Sequence, residues 1–350
     1  MKNSKGFTLI EILVSLFIVM IALSIAYFTY VKILQSSLFQ SSVGKSQIET
    51  LMGTNLLNFD VEMAGYGLPT QVGTITYQEA SNGTAQLYND SPSNTPRPII
   101  IAQNTNPSSS YLVIKSAIAD INTTSQKWTF LYYDNNLNQW EIQYNWPAAE
   151  SSNHFSQNDP SYCILLNAQN KSLYYNTSSN TWYFQFNSLP QSAVNLSQNT
   201  VYLVYGINPN AIRMPFNRVD YYLSPTGLPS SCDPSTYELY RATVNQTDGT
   251  LNPKPILNCV KDFRAAALID GTWYSNTTGL SLAQIQSIQE VRIFILQQSS
   301  KYSNQALSTA TLTLGDSSTG TLSTFTPSGT DSHYQWKVIR LSIKPMNLGS

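Results

Sequence analysis

The amino-terminal segment is the feature that most restricts how this chain can fold. Residues 12–31 include no charged residue, no glycine and no proline. At about 1.5 Å per residue, a helix over this run is about 30 Å long, the thickness of the hydrocarbon core of a bilayer. Lys2 and Lys5 precede it and are expected to stay in the cytoplasm, where basic flanking residues concentrate. The segment therefore predicts a single-pass membrane helix with the rest of the chain outside the cytoplasm.

Three simpler interpretations account for the same apolar run. It could be a plain signal anchor, the buried core helix of a globular domain, or a secretory signal peptide cleaved near residues 24–26, where small residues flank an isoleucine. None of these explains Glu11, which stands at the entrance of the run. A carboxylate there costs on the order of a few kcal/mol to insert unless it finds a partner.

The residues around Glu11 resemble the class III signal of type IV prepilins and type II secretion pseudopilins. Gly6 is followed directly by Phe7, Thr8, Leu9, Ile10 and Glu11. The resemblance implies that prepilin peptidase removes residues 1–6 by cutting after Gly6. It also implies that Phe7 becomes an N-methylated amino terminus, and that Glu11 acts in assembly.

The assembly role of Glu11 has a physical reason. In a filament the new amino group of each subunit is buried among packed helices, and an unpaired buried charge is costly. A carboxylate on a neighbouring helix would neutralise that charge. The two groups meet only when the subunits have the correct offset along the filament axis, so the pair favours that offset.

The helix is predicted to continue beyond the membrane, over residues 7–65. We expect it to form the transmembrane or filament core to about residue 31 and then to pack on a globular head. Gly44 and Gly53 weaken the helix by about 1 kcal/mol each without ending it. Two glycines and a proline in residues 63–69 predict its end. Apolar residues recur at helical spacing in its second half: Leu34, Leu38, Ile48, Met52, Leu56, Phe59 and Met63.

The remaining residues, 66–350, predict a β-rich head of antiparallel sheets, so the fold class is α+β. Charged residues make up only 11% of the chain and aromatic residues 12%, which indicates a folded body with a neutral surface rather than disorder. Runs rich in β-branched and aromatic residues predict strands at 98–102, 111–115, 127–133, 139–144, 162–166, 181–186, 201–205, 218–223, 290–296 and 335–343.

Hairpins are predicted at residues 132–140, 174–182 and 268–273, the last with the Asp-Gly pair typical of a tight turn. Their tryptophans are expected to pack on the sheets, with stacking on carbohydrate as the alternative. The Ser-, Asn- and Thr-rich stretches 147–161 and 303–332 are predicted to be exposed loops.

Three cysteines, Cys163, Cys232 and Cys259, allow one disulfide and one free thiol in an exported protein. A Cys232–Cys259 bridge would close a turn-rich loop, which the chain-entropy model values at about 3 kcal/mol. Three buried free thiols are the alternative.

Several segments resemble the PilW-type minor pilins, which are related to type II secretion pseudopilin J. The resemblance rests on residues 58–67 at the helix end, 239–241 and 256–264 as central strands, and 291–296 and 338–343 as later strands. Residues 145–236 resemble nothing in that branch and are expected to be an elaboration of the head.

The sequence offers no catalytic or cofactor-binding motif, and we expect no enzyme, cofactor or metal site. His154 and His333 lie in polar stretches and are predicted to be surface residues. Asp134, Asn136 and Asn138 alternate as calcium ligands do but lack the glycine and glutamate of an EF-hand, which favours a turn. The net charge of −1 gives no electrostatic attraction for nucleic acid, and it becomes −3 once the leader and its two lysines are removed.

The resemblance implies a minor pilin that helps to initiate a type IV pilus, a fimbrium, and sits at or near its tip. Its expected partners are other minor pilins, the major pilin, prepilin peptidase, the inner membrane and a tip adhesin. It is expected to lie first in the inner membrane and then at the cell surface. One alternative is a type II secretion pseudopilin, against which the large head argues. The other is that this chain is itself the tip adhesin and binds a surface or a glycan in cell adhesion.

Overall fold

The computed structural model of the chain describes residues 8–147, 151–193 and 195–349. Its first element is a single helix, α1, over Leu9–Glu62. Beyond Glu62 the chain turns through Gly65 and Gly67, whose φ angles of 80° and 61° lie in the left-handed region that glycine tolerates. The helix was expected over residues 7–65; it is observed over Leu9–Glu62 and ends three residues before Gly65.

The helix packs on the head over a shorter stretch than expected. Leu57, Val61 and Ala64 are fully buried, whereas the described residues between 32 and 48 are exposed except for Gly44, which is half-buried. Serine and glutamine dominate residues 35–47, so this part of the helix lacks a dense apolar face to bury. The head contact begins near Glu49 rather than directly after the membrane segment.

The described part of the head is built from antiparallel strands, short 3-10 turns and one short α-helix, α2, over Leu282–Gln286. Every segment predicted as a strand overlaps an observed one. The strands of the described residues are, in chain order, β1 Ile99–Thr105, β2 Ser108–Ser116, β3 Trp128–Asp134, β4 Gln139–Ile142, β5 Tyr162–Asn167, β6 Phe184–Gln185, β7 Tyr202–Asn208, β8 Asn217–Ser224, β9 Tyr237–Val244, β10 Leu251–Ile269, β11 Thr272–Tyr274, β12 Ile288–Gln298, β13 Leu312–Asp316, β14 Gly320–Phe325 and β15 Trp336–Ile343.

The main sheet has the order β1-β2-β8-β9-β10-β12-β15, with β11 paired to β10. One face of it packs against the end of α1: Leu57 and Val61 share a core with Ile101, Leu112 and Val219. The predicted Asp-Gly hairpin forms between β10 and β11. The predicted 132–140 hairpin is β3–β4, whereas the 174–182 segment forms only a single bridge.

The second sheet is an insertion within one hairpin of the main sheet. Ser116 at the end of β2 pairs directly with Asn217 at the start of β8, so residues 117–216 leave the main sheet and return to it at one point. They form the five-stranded sheet β4-β3-β7-β5-β6. The inserted segment is therefore 117–216, whereas the elaboration was expected at 145–236; β3 and β4 lie inside the inserted segment and β8 lies outside it.

The inserted sheet packs on the chain that directly follows α1. Leu68 and Val72 from that segment share a core with Ile164, Leu166 and Ile207 of the insertion. The rings of Tyr66 and Tyr205 also meet edge to face with centroids 5.3 Å apart. The insertion therefore enlarges the head at the end where the helix stops.

Two stretches expected to be exposed loops are partly structured. Within 303–332, β13 and β14 pair, and Leu314 is buried together with Phe294 and Trp336. Within 147–161, His154 is only 6% exposed and its ring stacks on Trp146 at 3.7 Å. Serine and threonine obscured these apolar contacts in the sequence, and the prediction that His154 is a surface residue was wrong.

Candidate functional site: the amino-terminal helix and its attachment to the head

The first half of α1 exposes its whole apolar surface. The most apolar 18 residues within Leu9–Leu34 have a mean hydropathy of 2.7, and none of them is buried against the rest of the chain. A helix of this length and composition can cross a membrane. Because the head offers it no contact, this segment needs either lipid or other helices around it.

The helix begins with a capping box formed by Thr8 and Glu11. The Glu11 carboxylate accepts hydrogen bonds from the Thr8 backbone N–H at 2.8 Å and from the Thr8 hydroxyl at 2.9 Å. The Thr8 hydroxyl in turn accepts one from the Glu11 backbone N–H at 3.3 Å. Glu11 is exposed and lies in a shallow groove with the apolar side chains of Ile10, Val14 and Ile18. Gly6 and Phe7, the predicted processing residues, lie outside the described residues.

A buried ion pair attaches the last turns of α1 to the main sheet. Asp60 accepts hydrogen bonds from Arg241 Nε at 2.7 Å and Nη2 at 3.2 Å, and from the Tyr221 hydroxyl at 2.5 Å. Arg241 Nη2 also donates to the carbonyl of Ala119 at 2.6 Å. Burial alone would lower the pKa of Arg241, but the hydrogen bond and charge of Asp60 outweigh it and raise that pKa.

Gly53 permits a close approach of the helix to the head. A Cβ atom at this position would lie 2.5 Å from the carbonyl oxygen of Ile256 and 2.8 Å from the side chain of Leu257. Any larger residue would therefore push the helix away from β10. Gly53 is a packing requirement as well as a weak helix former.

A second buried charge cluster joins the segment after the helix to β2 and β8. Lys115 Nζ lies 2.7 Å from Glu79 and 2.6 Å from Asp90, and Arg218 pairs with Glu79 at 2.9 Å and with Asp220 at 2.8 Å. These groups are nearly inaccessible to solvent, so each buried charge requires its partners. Sequence reasoning missed both clusters. The sequence signal that could have indicated them is a charged residue at a core-facing position of a helix or strand.

Cys232 and Cys259 are joined in a disulfide across a sequence separation of 27 residues. It connects the loop before β9 to the middle of β10. Cys163 is free and fully buried, and burial raises the pKa of its thiol, so it lacks the reactivity of an exposed thiolate.

The disulfide leads to a first prediction. Mass spectrometry of non-reduced peptides is expected to show the Cys232–Cys259 link with Cys163 unmodified. Replacing both linked cysteines by serine should lower the free energy of unfolding by about 3 kcal/mol, while Cys163→Ala should leave the link intact. A peptide linking Cys163 to either partner would overturn the assignment.

The Asp134, Asn136 and Asn138 segment forms a turn. The Asp134 carboxylate accepts hydrogen bonds from the backbone N–H groups of Asn136 at 2.8 Å and Leu137 at 3.3 Å. Asn138 accepts one from Tyr133. In the ranges that the structure describes, no three His, Cys, Asp or Glu side chains are arranged to hold a metal ion.

Comparison with known proteins places the amino terminus in a known class. Residues 1–27 match the model of the prokaryotic N-terminal methylation motif. No curated protein matches the chain. Among solved structures, the type IV-like pilin TTHA1219 from Thermus thermophilus is similar at 15% identity and a TM-score of 0.29, over 39% of this chain and 67% of that one. The chain thus combines this methylation motif with an exposed apolar helix and a β-rich antiparallel head, the features expected from its resemblance to type IV prepilins.

Proposed function

We propose that this chain is a PilW-type minor pilin that helps to initiate a type IV pilus and occupies a position at or near its tip. The observation that carries the proposal is the insertion of a complete sheet, residues 117–216, within the β2–β8 hairpin. The role is structural, as in the family, and not enzymatic.

The place of the insertion supports a tip position. The amino terminus of α1 faces the membrane or the base of a filament, and its carboxyl end faces outward. The inserted sheet packs on residues just beyond that outer end, among them Leu68 and Val72. In the body of a filament this space adjoins the next layer of subunits, whereas a subunit at the tip has no subunit above it. A bulky head is therefore easier to accommodate at the tip than at every position of the filament.

The surface of α1 supports a filament subunit over a plain membrane anchor. Apolar side chains remain exposed well beyond the membrane segment: Ile48, Leu51 and Met52 are each about 60% exposed or more. An anchor needs no apolar surface outside the bilayer, but a helix packed among those of other pilins does. In this role prepilin peptidase cuts after Gly6, Phe7 is methylated, and the subunit waits in the inner membrane with its head outside the cytoplasm before it reaches the cell surface.

Glu11 provides the test of this function. Glu11→Ala is expected to insert and to be processed normally, but to associate more weakly with partner minor pilins and to produce fewer surface pili. In a packed helical core the unpaired amino group of a neighbouring Phe7 would cost several kcal/mol. The measurements are co-purification of the variant with its partner pilins and a count of surface filaments.

The controls separate the charge of Glu11 from its shape. Glu11→Gln keeps the shape and should behave like the alanine variant, whereas Glu141→Ala removes a carboxylate from β4 of the inserted sheet and should behave like the wild type. Wild-type association and pilus number in Glu11→Ala would show that Glu11 is not an assembly contact.

A tip adhesin is the second function that we propose, and it can coexist with the first. The observation that favours it is a mixed aromatic and polar cleft where the inserted sheet meets the main sheet. A cleft at the outer end of a tip subunit would face the surroundings of the cell.

A further inference from the structure

The cleft between the two sheets, here called the junction cleft, has a volume of about 430 Å³. This is within the range of small-ligand sites and enough for a small saccharide. The inserted sheet, the chain that returns from it, the β9–β10 turn and the segment after α1 all contribute to its wall. Its principal lining residues are Tyr77, Pro92, Trp182, Tyr183, Arg213 and Gln246.

The position of Arg213 in this wall is held by hydrogen bonds. The buried side chain of Gln246 accepts from the backbone N–H groups of Arg213 at 2.9 Å and Met214 at 3.1 Å, and it donates to the carbonyl of Phe216 at 2.7 Å. Arg213 Nε donates to the carbonyl of Glu79 at 3.1 Å. The arginine is thus oriented before any ligand arrives, which lowers the entropic cost of binding.

The cleft presents hydrogen-bond donors that are not used within the described part of the chain. The two terminal nitrogens of Arg213 make no hydrogen bond and no ion pair there, although the side chain is half-buried and the exposed carboxylate of Asp248 lies close enough to interact with its charge. Trp182 is only 7% exposed, and its indole N–H likewise has no acceptor among the described residues. A ligand that satisfies both must carry acceptors, and a guanidinium pairs best with a planar carboxylate.

Aromatic rings supply the other half of the recognition. Trp182 and Tyr183 meet edge to face with centroids 5.1 Å apart, and Tyr183 is the more accessible of the two rings. Tyr77 is only 2% exposed and packs edge to face on the buried ring of Phe216, so it supports the wall from behind. A saccharide combines apolar C–H faces with hydroxyl acceptors and donors, so it suits such a mixed wall. The chain is close to neutral, and one arginine without further cations is a weak site for a polyphosphate.

The geometry points to the junction cleft as a binding site for an acidic saccharide, whose carboxylate pairs with Arg213 while the indole N–H of Trp182 donates to a ring or hydroxyl oxygen. This inference names the ligand class for the adhesin function proposed above and rests on that function. The test of this inference measures binding to purified protein. A negative binding result can therefore be told apart from a defect in pilus assembly.

The experiment is titration calorimetry of the full-length protein in detergent with cellobiouronic acid and with cellobiose, which differ by the carboxylate. The wild type should bind the acid about tenfold more tightly than the neutral sugar, as expected for one charge-assisted contact. Arg213→Gln should remove that preference and leave the weak binding of cellobiose unchanged. Arg340→Gln makes the same change on exposed β15 and should retain the preference.

Trp182→Phe keeps a ring in the wall and removes the indole N–H, so it should weaken binding of both sugars by a few fold. This variant also tests the proposal if Arg213→Gln fails to fold. Equal affinity of the wild type for acid and neutral sugar, an unchanged preference in Arg213→Gln, or tighter binding of trialanine than of cellobiouronic acid would each overturn the proposal. The last outcome would instead indicate a site for a peptide carboxylate.

Discussion

Arg241→Met is expected to lower the free energy of unfolding by about 3–5 kcal/mol, because it leaves the carboxylate of Asp60 buried without its cation. Asp60 is only 2% exposed and Arg241 6%, so water cannot replace the lost partner. Since the pair joins α1 to β9, the helix and the main sheet should lose their attachment together. Denaturant unfolding of the full-length protein in detergent measures the change.

The pH dependence of this variant provides an independent check. Burial is the largest influence on Asp60 and raises the pKa of its carboxyl, and Arg241 opposes that effect. Without Arg241 the pKa of the folded protein rises further above that of the unfolded chain. The contribution of Asp60 to the stability of the variant should therefore be most favourable below the ordinary carboxyl pKa of about 4, and it should be lost as the pH rises through the folded pKa.

The double variant Asp60→Asn with Arg241→Met is the matched control. An amide is neutral and still accepts a hydrogen bond from Tyr221, so more than half of the lost stability should return and the added pH dependence should disappear. If the double variant were as unstable as Arg241→Met at neutral pH, the charge of Asp60 would not be the cause.

Gly6→Arg is expected to abolish processing, so that nearly all of the protein remains full length in the membrane. In the processing that we propose, the peptidase needs a small residue before the cut, and an arginine side chain would fill that space. Mass spectrometry of the amino terminus measures the outcome. Ser4→Arg adds the same charge within the leader and should be processed normally. A mature amino terminus at Tyr27 would instead show that the segment is a secretory signal peptide.

The amino-acid sequence by itself determined the parts of this protein that depend on local composition. The helix follows from an uninterrupted apolar run and ends at Glu62, and the chain then turns at Gly65 and Gly67, because glycine permits a turn that other residues resist. Most strands follow from alternating β-branched and aromatic residues, since such runs fit a half-buried pleated surface. The motif that ends in Glu11 could be recognised for the same reason, because it is short and contiguous, and residues 1–27 match the prokaryotic N-terminal methylation motif.

Only the tertiary structure decided which distant segments meet. Alternation indicates which face of a strand is buried but not which strand lies beside it, so the pairing of Ser116 with Asn217 and the extent of the insertion between them were beyond sequence patterns. Asp60 and Arg241 are separated by 181 positions, and each is an ordinary polar residue until the fold buries both. Burial of a polar group requires a partner, and the partner is specified by the complete fold rather than by the neighbouring sequence.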